Sequence, residues 1–70
     1  MDKEVKRVLD SINILNAAGV YAITSKMIND HLKGETALSS SIINNSLEEL
    51  AASDFIIWDA TKAYFRPVKY

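Results

Sequence analysis

The hydrophobic pattern of this chain changes period once, near residue 54, and that change limits the folds open to it. Before it, apolar residues recur at three- and four-residue spacing, which puts them on one face of each of several helices. After it, Phe55-Ile56-Ile57-Trp58 and Ala63-Tyr64-Phe65-Arg66 are aromatic and β-branched, as strands prefer. Asp59-Ala60-Thr61-Lys62 between them is a plausible turn. Helices followed by one hairpin imply an α+β fold, with the hairpin packed beside a three-helix core. At 70 residues there is no room for a second core, so residues 1–70 are expected to form one domain.

The first helix is expected over residues 3–18. Val5, Val8, Leu9, Ile12 and Leu15 form its stripe, and Lys3, Lys6, Arg7 and Asp10 occupy the other side. Gly19 fits the left-handed position just past its end. Val20 to Ile23 is a short β-prone stretch. Thr24 then offers a capping oxygen to a second helix over 25–33, and Ile23 and Ile28 have the spacing of a hydrophobic staple. That helix is expected to bury Met27, Ile28 and Leu32 and to end at Gly34. A third helix is expected over 38–53, capped by Thr36 or Ser39. Its stripe would be Ile42 or Ile43, then Leu47, Leu50 and Ala51. Strands are expected over 55–58 and 63–67, and Pro67 cannot donate to a ladder, so the second strand is an edge there or stops.

Several kinds of chemistry find no support. There is no cysteine, so disulfides and thiolate metal sites are excluded. His31 is the only histidine and cannot complete a metal site; it reads as a partly exposed helix residue. Ser39, Ser40 and Ser41 have no base nearby in sequence, and no Gly-rich phosphate loop occurs. The chain is therefore expected to be no enzyme and to need neither cofactor nor metal. The opening MDKEVKRVLDS has no signal-peptide character, and no apolar run approaches the roughly 20 residues that span a bilayer. A cytoplasmic protein without a membrane partner is expected.

Ile23-Thr24, Ile28, Leu32, Leu47-Glu48-Glu49-Leu50 and Asp54-Phe55-Ile56-Ile57 together resemble the winged helix-turn-helix superfamily. In that family Thr or Ser caps the second helix, and an apolar pair precedes the turn into the wing. The resemblance covers nearly the whole chain, and it rests on hydrophobic spacing more than on fixed identities. A looser similarity, of fold alone, links residues 23–65 to a small eukaryotic and archaeal ribosomal protein that is itself a winged helix. Two features depart from the family. Asp54 stands where Gly is frequent, and the connector from Lys33 to about Leu38 is long for a tight turn.

The resemblance implies a small DNA-binding protein, a transcriptional regulator that reads double-stranded DNA with its third helix and wing. The residues matching that role are Ser39, Ser40, Ser41, Asn44 and Asn45 on the third helix. Asn can read adenine bidentately and Ser can reach base edges or phosphate. Lys26, Lys62 and Arg66 are the expected phosphate contacts. Charge weakens this reading. Net charge is −1, the third helix has no Lys or Arg, and Glu48 and Glu49 oppose phosphate unless Glu48 meets a cytosine amino group. The alternative is a winged helix used for protein–protein contact, as an adaptor or complex subunit. Ile14, with Tyr21, Val68 and Tyr70, could then form a homodimer or partner patch. An RNA-binding module like the ribosomal relative is the third reading. Trp58, Tyr64 and Phe65 can stack on bases, but packing against helix one or three is the expected arrangement.

Overall fold

The starts of the second and third helices and the ends of the first and third are closed by local hydrogen bonds. The structure, a computed structural model, describes residues 2–32 and 38–68. Three helices, α1 (Lys3–Ala17), α2 (Ser25–Leu32) and α3 (Ser40–Ala52), precede an antiparallel hairpin of β1 (Ile56–Asp59) and β2 (Tyr64–Pro67). This is the α+β arrangement expected, with strand bounds moved by about one residue. The expected end of α2 at residue 33 and a cap at Thr36 lie outside the described residues.

At the end of α1, Gly19 has φ +96°. Val20 N–H donates to the Leu15 carbonyl (3.0 Å) and Gly19 N–H to that of Asn16 (3.0 Å). This pair of bonds closes the helix with a left-handed residue. Asp54 does the same for α3. At φ 62° it donates to Ala51, while Phe55 N–H reaches the Leu50 carbonyl at 3.0 Å. Aspartate is one of the residue types that tolerates this left-handed conformation best.

At the helix starts, Thr24 Oγ1 accepts from Met27 N–H and Ser39 Oγ accepts from Ile42 N–H, each at 3.3 Å. Ile23 and Ile28, which flank the Thr24 cap, are both fully buried, as a staple requires. The core comprises Val5, Val8, Ile12, Ile23, Ile28, Leu32, Ile43, Leu47, Leu50 and Ile56, from the three helices, the stretch before α2 and β1, and Phe65 of β2 packs against it half-buried. Ser11 and Ser46 are buried among them. The Ser11 hydroxyl shares a 3.1 Å hydrogen bond with His31 Nδ1, joining α1 to α2.

One expected core position is corrected and one open choice is resolved. Met27 is 40% exposed: α2 is short and packs through the Ile28–Leu32 ridge, and Met27 is turned about 100° from Ile28. On α3, Ile43 takes the buried position, whereas Ile42 lies one residue off the stripe and is exposed.

Across the hairpin, Ile56, Ile57, Trp58 and Asp59 pair with Pro67, Arg66, Phe65 and Tyr64. The Asp59 carboxylate accepts from the N–H groups of Thr61 (3.0 Å) and Lys62 (3.3 Å), and Ala63 turns back at φ 54°. On its other side β2 forms a single bridge, Ile23 to Phe65. The stretch 20–23 is therefore strand-like for one residue only. Among the described residues, no helix is long and apolar enough to cross a membrane.

Candidate nucleic-acid interface

The start of α2 and the outward side of α3 meet in a groove lined by Ser25, Lys26, Asn29, Ser40, Ile43 and Asn44. Ser25 is the first residue of α2 and Ser40 the first of α3, so both helix N-termini open onto it. The first N–H groups of a helix lack intrahelical acceptors and carry the positive end of its dipole. Lys26 adds a positive charge, and among the described residues no acidic one lines the groove.

A second groove adjoins the first, sharing Ser25 and Asn44. It runs between α3 and the hairpin and is also lined by Leu47, Glu48, Ala51, Trp58 and Phe65. Trp58 is 44% exposed. Its ring lies on that of Phe65, with centroids 4.3 Å apart and planes 31° apart. The expectation that the hairpin aromatics would pack onto a helix is corrected in part. Phe65 packs against the core, but Trp58 sits further out along the same face, beyond Ile56.

The expected site residues do not form one cluster. Ser40, Ser41, Asn44 and Asn45 are all exposed along α3, and Ser40 and Asn44 face Lys26 across the first groove. Ser39 is committed to capping α3. Lys62 is exposed in the hairpin turn. Arg66 pairs with Ile57 and therefore faces the opposite side of the hairpin from Trp58 and Phe65. There it lines a third groove with Asn16, Tyr21, Ile57, Tyr64 and Val68. Tyr21 is 66% exposed, and Ile14 is exposed on α1; Tyr70 of the expected patch lies outside the described residues. Glu49 lines a further groove with Val5, Leu50, Ser53 and Phe55, away from Glu48.

Sequence reasoning missed Asn29 and the exposure of Trp58. Asn29 was readable as the residue one turn after Ser25. Among the described residues, no three of His, Cys, Asp and Glu gather as metal ligands. Compared with family models, with curated proteins and with solved structures, the chain finds no significant match in any of the three.

Proposed function

We propose that the protein binds double-stranded DNA in the manner of a winged helix and acts as a regulator of transcription, by binding and not by catalysis. The observation that carries this reading is the groove where both helix N-termini, Lys26, Asn29 and Asn44 converge with no carboxylate lining it among the described residues. Such a groove suits a phosphate oxygen, since it combines dipole, charge and backbone donors. With a phosphate held there, the exposed Ser40, Ser41, Asn44 and Asn45 are on the side of α3 that faces the base edges. Glu49, one turn beyond Asn45, lines a different groove with Val5 and Phe55 and does not line the phosphate groove.

A fluorescence-anisotropy titration against a mixed-sequence duplex, repeated over a range of salt, tests the proposal. Affinity should fall as salt rises, since phosphate contacts release counterions. Absence of binding at low salt, or binding indifferent to salt, overturns it.

Protein–protein contact is the second reading, supported by the apolar groove around Tyr21 and Ile57 on the other side of the hairpin. The two readings use different faces and are compatible. A cytoplasmic location fits a DNA-binding role and is part of the same proposal.

A further inference from the structure

The groove between α3 and the hairpin holds a carboxylate that phosphate binding leaves without a role. Glu48 lines it with Asn44 and Trp58, and among the described residues no lysine, arginine or histidine lines it to neutralise that charge. Ser40, Asn44 and Glu48 follow one another at four-residue intervals along one ridge of α3. Eight residues separate Ser40 from Glu48, about 12 Å of helix, so a phosphate held at the start of α3 does not meet this carboxylate.

A carboxylate accepts hydrogen bonds and donates none. In the major groove of DNA, thymine O4, guanine O6 and purine N7 are acceptors and would be repelled. Only the amino groups of cytosine and adenine donate there. The two differ in what flanks the amino group. Adenine places the N7 acceptor beside it and suits an amide, which Asn44 and Asn45 supply. Cytosine places an apolar C5–H edge beside it. Glu48 has an apolar wall for a neighbour, the Trp58 indole held against Phe65.

Building on the DNA-binding reading, we infer that Glu48 and Trp58 form a cytosine-selecting subsite, with Glu48 accepting from the N4 amino group and Trp58 covering the C5 edge. Exchange of cytosine for thymine puts a carbonyl oxygen against the carboxylate. Gln at this position can donate as well as accept, so Glu48→Gln should admit both bases.

The test is selection from a randomised duplex library by the wild-type chain and by Glu48→Gln, followed by anisotropy on the selected duplex and its cytosine-to-thymine variant. Circular dichroism checks that the variant, changed only at an exposed residue, is folded. Wild type should select a fixed cytosine and lose roughly tenfold or more in affinity on its exchange to thymine. Glu48→Gln should shrink that loss to about threefold or less, with preferences at other positions kept. Retention of duplexes with no fixed cytosine, or with the same cytosine preference in both proteins, overturns the subsite while leaving DNA binding intact. Retention of no duplex by either protein overturns the DNA-binding reading and the subsite with it.

Discussion

Ile23 and Phe65 exchange both of their backbone hydrogen bonds, Ile23 N–H to Phe65 O at 3.1 Å and Phe65 N–H to Ile23 O at 2.7 Å. The bridge ties β2 to the residue just before the Thr24 cap of α2. Because Ile23 is also fully buried, one contact sets the start of α2 against the turn-proximal part of the hairpin. That places Ser25 on the edge of both grooves that meet α3.

Lys26 and Arg66 should behave differently in DNA binding, although both are exposed cations. Lys26→Ala should weaken binding across all sequences and reduce the slope of log affinity against log salt by about one. Arg66→Ala should leave that slope nearly unchanged, since Arg66 lines the groove beside Tyr21. Equal losses in the two variants would mean that the DNA wraps onto the far side of the hairpin.

Ser39→Ala should lower unfolding stability by about 1 kcal/mol, the usual effect of losing an N-cap, because its hydroxyl accepts from Ile42 N–H. Urea denaturation measures this. Base preference should be unaffected, because the hydroxyl is engaged at the cap. A change in base preference at unchanged stability would return Ser39 to the DNA-contacting set.

The left-handed residues should respond in opposite directions to substitution. Gly19→Ala should destabilise by roughly 1–2 kcal/mol through backbone strain, since a Cβ there meets nothing within 4 Å. Asp54→Gly and Ala63→Gly should each be neutral or stabilise by up to about 1 kcal/mol, strain relief exceeding the entropy lost by glycine. Thermal or urea melts of the three variants decide the matter.

Leu47→Ala should destabilise by about 2–5 kcal/mol, because Leu47 is almost wholly buried beside Ile43 and Leu50. For a domain of this size that is a large share of total stability. The variant should therefore be substantially unfolded at moderate temperature by circular dichroism.

Local signals in the sequence read well. Thr24, Ser39 and Gly19 act within one helical turn of themselves, so their roles follow from identity and spacing alone. The α1 stripe and the Ile43-Leu47-Leu50 stripe follow from periodicity, though choosing between Ile42 and Ile43 required knowing which way α3 faces. Met27 is misplaced for a related reason: a short helix packed on the side of two others buries a narrower strip than its apolar content suggests. The candidate site was less legible. The α3 polar face could be listed, but the groove with Lys26 and Asn29 depends on how α2 meets α3. The separation of Arg66 from Trp58 depends on hairpin register, which the turn from Asp59 to Ala63 sets.

The hairpin also divides into a part the fold needs and a part it does not. Its buried or core-packed contacts are Ile56 at the start of β1 and Phe65 near the start of β2. Ala60, Thr61, Lys62 and Ala63 project beyond them, all exposed. Insertions between Asp59 and Tyr64 would extend the hairpin without disturbing the core, since lengthening a surface loop carries only a small entropic penalty. Reach is thus an adjustable dimension of this scaffold: a longer tip would carry Lys62 further over a bound duplex, while the grooves beside α3 kept their shape.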